Sequence, residues 1–181
     1  QASEIAEGKM VLDIACGEGY GSAILANKAT YVTGVDISSA AIQHAGRTYQ
    51  KANLEFKVGS CADIPLPDAS VDLVVSFETI EHHDQHHEMM REIKRVLRHS
   101  GVLLISSPEK RSYSDQGQSR NPYHVKELYQ HEFEQLLQLY FRNTVYFGQR
   151  ILYGSSIFSF SCQTAVVCHQ KQGDGMVSNQ G

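Results

Sequence analysis

Apolar runs that alternate with helically spaced apolar positions are the most regular feature of the chain. Short apolar runs predict five strands, at residues 10–15, 31–35, 54–58, 71–77 and 102–107. Between them lie apolar residues at helical spacing, such as Ile42, Ala45 and Tyr49, with Ser38 or Ser39 as the predicted N-cap. Strands that alternate with helices predict an α/β fold around a parallel sheet.

The pattern continues with two more helices and then changes. A second helix, ending at Gly101, is predicted by Met89, Ile93, Val96 and Leu97. A third is predicted from near His124 to Tyr140. Beyond it, extended segments at residues 144–149 and 163–169 are expected to pair antiparallel as a hairpin at the end of the sheet. Residues 1–172 are therefore expected to form one domain, and the glycine-rich residues 173–181 a flexible tail.

Composition narrows the class of protein. Sixteen basic and 20 acidic residues give the 181-residue chain a net charge of −4, so a nucleic-acid partner is not expected. Four cysteines without a C-x-x-C pair, and no signal-peptide pattern, indicate a reduced, cytoplasmic protein. Residues 151–168 carry no charge but include serine, glycine and threonine, which favours a buried hairpin strand over a membrane span.

The first predicted strand runs into the segment VLDIACGEGYGS, which holds Asp13 and then Gly17, Gly19 and Gly21. Glycines at every second position let the backbone turn sharply and approach a ligand closely. The alternative is a tight strand-to-helix turn with no ligand. A dinucleotide fingerprint needs a glycine at position 22, where this chain has Ser22, so no pyrophosphate is implied. Residues 15–21 are called the glycine turn below.

The second strand ends in GVDIS, which places Asp36 at the carboxyl edge of the neighbouring strand. A carboxylate at this edge can accept two hydrogen bonds from a ribose diol. Without the upstream glycines, a helix cap or turn residue would be the better interpretation of Asp36.

These two motifs occur with the triplet CAD at residues 61–63 and the segment VDLVVSFETIEHH at residues 71–83. With them, the chain resembles the class I S-adenosylmethionine-dependent methyltransferases from about Lys9 to about His169. The resemblance implies a Rossmann-like, seven-stranded, mostly parallel sheet with an antiparallel C-terminal hairpin and helices on both faces. It also implies S-adenosylmethionine as the cofactor and a small-molecule acceptor.

The resemblance further implies which residues hold the cofactor. Those around the methionine part would be Asp13, Ala15, Gly17, Gly19, Gly21 and Phe77. Asp36 would hold the ribose hydroxyls. Those around adenine would be Ile37, Ala62, Asp63 and Ile64, with Asp63 accepting from the amino group. For Ile37 and Phe77 the alternative is core packing.

The methyl acceptor is expected near the end of the fourth strand. A hydroxyl acceptor needs to be placed in line with the methyl group and helped to lose its proton. In a helix starting there, Glu78, Glu81 and His82 would share one face. They would bind a divalent cation, or they would orient His82 as a base, and His83 is a further catalytic candidate. This E-x-x-E-H pattern resembles that of quinone-biosynthesis O-methyltransferases, which implies Mg²⁺.

A polar loop after the fifth strand is expected either as an acceptor-binding lid or as a disordered surface loop. Its candidate lid residues are Lys110, Arg111, Tyr113, Arg120, Tyr123 and His124. The segment NPYHVKEL resembles one in methyltransferases of surface-polysaccharide and sugar biosynthesis, which favours a sugar hydroxyl as acceptor.

A small-molecule O-methyltransferase is therefore the leading hypothesis, and the oligomeric state stays open. The alternatives are an N- or C-methyltransferase, a non-catalytic S-adenosylmethionine-binding module of a larger protein, and a nicotinamide-dependent oxidoreductase. About eight residues precede the first strand, where relatives carry helices. The chain is therefore expected to be a fragment, or to build its lid in another way.

Overall fold

A computed structural model describes residues 2–115, 121–152 and 154–159, in two compact units, Gln1–Tyr140 and Phe141–Gly181. The helices of the first unit are α1 (Ala2–Ile5), α2 (Tyr20–Leu25), α3 (Ser39–Thr48), α4 (His86–Val96) and α5 (Gln130–Tyr140). Its strands are β1 (Met10–Ile14), β2 (Tyr31–Asp36), β3 (Leu54–Val58), β4 (Val71–Ser76) and β5 (Leu97–Ile105). The second unit contains β6 (Phe147–Leu152) and β7 (Gly154–Ser159).

The five strands of the first unit pair in parallel, in the order β3-β2-β1-β4-β5. The chain builds outward from β1 in one direction through β2 and β3, and then crosses to β4 and β5 on the other side. The strand order therefore reverses between β1 and β4. In open α/β sheets, ligands bind beyond the carboxyl ends of the strands at such a reversal.

The central strands of the sheet, such as β1 and β4, are buried on both faces. Side chains alternate between the faces along a strand, yet the consecutive residues Val11 and Leu12, like Leu73 and Val74, are no more than 1% exposed. A core cluster joins Val11 and Leu73 to Ala23 and other residues of the α2 region. Parallel strands covered by helices on both faces have continuous apolar sequences, which explains why β1 and β4 were recognisable from sequence.

The α4–β5 junction differs from its prediction. The helix ends at Val96 rather than at Gly101, and Leu97 is already extended at φ −69°, ψ 134°. Leu97 pairs with Val71, and the Arg98 guanidinium donates to Asp72 Oδ1 at 2.7 Å. Strand pairing and this ion pair outweigh the helical spacing of the apolar residues, so β5 begins five residues earlier than its predicted start.

The third predicted helix begins later than expected, at Gln130 instead of near His124. The backbone N–H groups of Val125 and Lys126 donate to the carbonyl of Glu81, at 2.8 and 3.1 Å. These bonds tie the segment before α5 to the region that follows β4. The first turn of the predicted helix is replaced by this long-range connection.

The prediction of a seven-stranded sheet is wrong for the residues that the structure describes, because the main sheet there has five strands. β6 and β7 pair antiparallel with each other, from Phe147 with Ser159 to Leu152 with Gly154. Pairing between neighbouring segments closes a short loop and costs little conformational entropy. The predicted partner strand at residues 163–169 and the tail at 173–181 lie outside the described residues. Among the described helices, none has the length and apolar character to span a membrane.

Candidate active site

The glycine turn connects β1 to α2 through a left-handed backbone. Ala15, Gly17 and Gly19 have φ values of 58°, 53° and 84°, which favour glycine. A Cβ on Gly19 would lie 2.6 Å from the Phe56 ring and 2.8 Å from Ala45 Cβ, whereas a Cβ on Gly17 would meet no atom within 4 Å. At Gly19, both the close packing and the left-handed backbone therefore favour glycine. At Gly17 only the backbone conformation does, because the space beside it is open.

Asp13 supports the glycine turn from within the sheet. Its side chain is 8% exposed, and Oδ2 accepts a hydrogen bond from Ser22 Oγ at 2.6 Å. Burial raises the pKa of Asp13 to about 6; the Ser22 hydrogen bond opposes this rise and the negative charge of Asp36 adds to it. Ser22, which counts against a dinucleotide fingerprint, thus has a positive role as the partner of Asp13.

Asp36 joins the glycine turn to the start of α3. Its Oδ2 accepts from the Gly17 N–H at 2.9 Å, and its Oδ1 accepts from the Ser38 N–H at 2.8 Å. A carboxylate has about four acceptor sites, so each oxygen keeps one for a ligand. Asp36 is therefore a turn residue, which was the alternative interpretation of the sequence. The same two hydrogen bonds hold its carboxylate in a fixed orientation.

Apolar side chains lie exposed beside these carboxylates. Ile37 is 77% exposed, so core packing does not account for it, and Phe77 is 47% exposed. Ile64 differs because it is 2% exposed and belongs to the core, while Ala62 is half-buried. Exposed apolar residues next to fixed polar groups are typical of a small-molecule site.

The loop after β3 is held in place by α4. Asp63 donates its N–H to the Ser60 carbonyl at 3.1 Å. The Ile64 N–H donates to Glu92 Oε2 at 2.9 Å, and Arg95 donates to the Ile64 carbonyl at 2.9 Å. The Asp63 side chain is exposed and its carboxylate has no hydrogen-bond partner among the described residues.

Glu78 does not share a helical face with Glu81 and His82, because the segment after β4 forms only a short 3₁₀ turn, Ile80–His82. Glu78 itself lies in the left-handed region at φ 51°. Its Oε1 accepts from Ser106 Oγ at 2.6 Å, and its N–H donates to the same hydroxyl at 3.2 Å. Ser106, which the sequence did not single out, holds a strained residue at the edge of the sheet, and such strain is common at functional sites.

Glu81 and His82 have opposite environments. Glu81 is 1% exposed, burial raises its pKa, and its Oε2 is buried without a hydrogen-bond partner. The His82 side chain is 42% exposed, and its Nδ1 donates to the Tyr123 carbonyl at 2.9 Å, since a carbonyl only accepts. His82 Nε2 is left with a lone pair and lies 3.9 Å from Glu81 Oε1.

His124 lies close to Glu81 and His82, although it is far from them in the sequence. Its Nδ1 bonds Glu127 Oε1 at 2.5 Å, and the two side chains are 7% and 8% exposed. The His82 and His124 rings meet edge to face, with centroids 5.1 Å apart. One ligand-capable atom of each of Glu81, His82 and His124 lies within 4.8 Å of the other two, and Glu78 is not in the group. We call these three residues the Glu-His-His cluster.

Sequence reasoning missed this cluster as a unit. It placed His124 on a lid and gave Glu127 no role. The one available signal was the H-x-x-E spacing within NPYHVKEL, which allows a histidine and a carboxylate to pair.

His83 has both ring nitrogens in use. Nδ1 accepts from the Gln85 N–H at 3.1 Å, and Nε2 lies 3.4 Å from Cys61 Sγ and 3.3 Å from Met89 Sδ. Burial and the neighbouring His86 lower the pKa of His83. Its contacts fix the segment between the 3₁₀ turn and α4, whereas His82 Nε2 is free to act on a ligand.

Comparison with known proteins shows the family of the chain. Residues 12–105 match the model of a methyltransferase domain family, over slightly more than half of the chain. A probable S-adenosylmethionine-dependent methyltransferase from Mycolicibacterium smegmatis is 39% identical over 132 residues, which are 72% of this chain and 51% of that protein. A fatty-acid O-methyltransferase from the same species is 37% identical over 58% of this chain and 39% of its own length.

A solved structure shows the same fold. The YcgJ protein from Bacillus subtilis superposes with a TM-score of 0.66 at 22% identity, covering 81% of this chain and 67% of that one. The chain spans about half the length of the curated relatives it matches. The matched segment holds the first unit's sheet, the glycine turn, Asp36 and the region after β4, and by this match the chain belongs to the class I S-adenosylmethionine-dependent methyltransferase family.

Proposed function

We propose that the chain transfers a methyl group from S-adenosylmethionine to a hydroxyl group of a small molecule. The observation that carries the proposal is the position of two polar regions. The glycine turn follows β1 and the Glu-His-His cluster begins after β4, the two strands between which the sheet order reverses. This is where an α/β sheet holds a ligand against reactive side chains.

One region fits the cofactor. When bound, S-adenosylmethionine supplies an electrophilic methyl group. The free acceptor sites of Asp36 would bind the ribose hydroxyls, exposed Ile37 would cover adenine beside Ala62, and Asp63 would accept from the adenine amino group. Support comes from the fixed Asp36 carboxylate, the exposure of Ile37 and the unpaired carboxylate of Asp63.

The methionine part would lie against Asp13 and the glycine turn, with Phe77 beneath it. The open space beside Gly17 and the half-exposed ring of Phe77 support this placement. Ile64 would shape the adenine pocket only from the core, since its side chain is buried.

The other region fits a hydroxyl acceptor. In the proposed transfer, a bond from the acceptor oxygen to the methyl carbon would replace the carbon–sulfur bond, whose electron pair would stay on sulfur, and the hydroxyl proton would have to leave. Glu81 and His82 would assist the loss of that proton, with Glu78 at the rim and His83 positioning the segment. Magnesium bound by Glu78, Glu81 and His82 is not part of the proposal, because Glu78 lies outside the group of ligand atoms that approach one another.

For the acceptor, we propose a sugar hydroxyl. Tyr123 is 77% exposed and Tyr113 is 43% exposed, in the loop that also carries Lys110 and Arg111. Aromatic faces among polar groups suit a sugar ring, which has both apolar and hydroxyl surfaces. A lipid acceptor is the competing class, because one relative is named as a fatty-acid O-methyltransferase.

The experiment is methyl incorporation from labelled S-adenosylmethionine into nucleotide sugars, glycans, phenols and fatty acids. We expect label in a sugar acceptor, bound through oxygen in the product. Label only in fatty acids would overturn the acceptor class, and label on nitrogen or carbon would overturn O-methylation. Binding of the cofactor by calorimetry without transfer to any acceptor would favour the non-catalytic module and overturn the proposal.

A further inference from the structure

In the neutral forms of its two histidines, the Glu-His-His cluster brings acceptors together. The Nδ1 proton of His82 is donated to the Tyr123 carbonyl, and that of His124 to Glu127. Each neutral imidazole therefore has a bare Nε2, and the Glu81 carboxylate adds only acceptors. One ligand-capable atom of each residue lies within 4.8 Å of the other two, and acceptors this close repel unless a positively charged group lies among them.

The burial of Glu81 is an independent observation that points the same way. Its carboxylate is 1% exposed, and Oε2 has no hydrogen-bond partner. A buried carboxylate oxygen without a partner is costly, and a bound cation would offset that cost.

The surroundings of the two histidines match those of metal ligands. Metal-binding histidines commonly donate the second ring N–H to a carboxylate or a backbone carbonyl, which fixes both tautomer and orientation. Glu127 serves His124 in this way, and the Tyr123 carbonyl serves His82. The Val125 N–H bond to the Glu81 carbonyl holds the two chain segments together.

We propose that Glu81, His82 and His124 bind a divalent first-row transition metal such as Zn²⁺. Two imidazoles and one carboxylate suit Zn²⁺, Co²⁺, Mn²⁺ or Fe²⁺, whereas Mg²⁺ prefers a set of oxygen ligands. Tetrahedral ligand atoms around zinc lie roughly 3.4 Å apart. His82 Nε2 and Glu81 Oε1 are at 3.9 Å, and the 42% exposed His82 ring has room to close that gap.

Three protein ligands leave a coordination position for another molecule. If the proposed methyl transfer is correct, an acceptor hydroxyl bound there would have a lowered pKa and would lose its proton more easily. Metal binding itself does not depend on the proposed function.

The test is titration of the purified chain with Co²⁺, whose visible absorption reports the coordination geometry, followed by competition with Zn²⁺ and Mg²⁺. We expect one site that Zn²⁺ displaces and Mg²⁺ does not. Changing the supporting residue, Glu127→Gln, should weaken binding by about 10- to 100-fold, and His82→Gln and His124→Gln at least as much. The matched control is His87→Gln, whose ring bonds Tyr140 outside the cluster and should have no effect.

Circular dichroism of each variant shows whether the fold is kept, and His82→Gln, at a half-exposed side chain, is the variant least dependent on core packing. Equal Co²⁺ affinity in the native chain and His82→Gln would overturn the proposal. So would a site filled by Mg²⁺ that survives His124→Gln. Because the titration needs neither cofactor nor acceptor, its failure and a failure of methyl transfer are separate results.

Discussion

The glycine turn and the Glu-His-His cluster lie at the ends of β1 and β4, and they are built in different ways. The hydrogen bonds of the glycine turn lie within residues 13–38 and come from backbone N–H groups and one buried serine, and Gly19 also packs against Ala45 and Phe56. The cluster depends on residues about 40 positions apart, such as His82 and Tyr123. The first region is encoded locally, whereas the second exists only when two distant segments meet.

The regions also differ in how far their polar groups are satisfied. Both oxygens of Asp36 accept backbone hydrogen bonds, and Asp13 has Ser22. In the cluster, Glu81 Oε2 has no partner. The polar groups of the glycine turn have partners within the chain, whereas the proposed metal would supply the partner that Glu81 Oε2 lacks.

The largest expected effect is the loss of activity when His82 of the Glu-His-His cluster is changed. The variant His82→Ala removes Nε2, the atom through which His82 would assist loss of the acceptor's proton, and should lower kcat by about 10²- to 10⁴-fold, the usual contribution of a residue that assists proton transfer. Affinity for S-adenosylmethionine, measured by calorimetry, should change less than twofold. A parallel loss of both would show that His82 supports the fold of the whole site, as His83 does; His87→Ala is the control.

Two residues of the glycine turn allow the cost of crowding to be measured apart from the cost of a left-handed backbone. Gly19→Ala should cost about 3 kcal/mol in the free energy of unfolding, because it adds contacts at 2.6 and 2.8 Å to a left-handed backbone. Gly17→Ala faces only the backbone penalty of about 1 kcal/mol. Urea denaturation of the two variants gives the difference. Equal losses would mean that Phe56 moves aside without cost.

Asp13 predicts a pH dependence of stability. Its folded pKa of about 6 is above the ordinary aspartate pKa of 3.8, so the folded protein binds more protons between these values. Stability should therefore fall as the pH rises from about 4 to 7, by up to about 3 kcal/mol for this group. Asp13→Asn should remove that fall, and Ser22→Ala, which removes the opposing hydrogen bond, should steepen it. Urea denaturation across this range measures the difference from the native chain, and an unchanged slope in Asp13→Asn would contradict the prediction.

The smallest effect is expected at Asp36. Asp36→Asn keeps one acceptor oxygen for the turn but loses the charge that strengthens hydrogen bonds to ribose, so affinity for S-adenosylmethionine should fall about tenfold. Calorimetry measures it, with Glu88→Gln on the exposed face of α4 as the control. Unchanged affinity would show that the ribose is held elsewhere.

Local patterns predicted the strands well and the region after β4 poorly. The bounds of β3, Leu54–Val58, agree with the sequence pattern, because Leu54, Phe56 and Val58 alternate with charged residues as in a half-buried strand. Spacing alone placed Glu78, Glu81 and His82 on one helical face, whereas the chain forms a 3₁₀ turn there. Two long-range contacts hold this region: the hydrogen bond between Glu78 and Ser106, and the bonds of the Glu81 carbonyl to residues 125 and 126. The local spacing of residues cannot predict either contact.

The sequence by itself determined the parallel α/β fold, the glycine turn and the position of Asp36. In these features, burial and backbone conformation depend mainly on residues that are close together in the sequence. Tertiary structure alone decided that His124 rather than Glu78 accompanies Glu81 and His82. It also decided that the main sheet of the described residues has five strands. Both depend on which distant segments pair, and that choice is made by the sum of contacts across the whole fold.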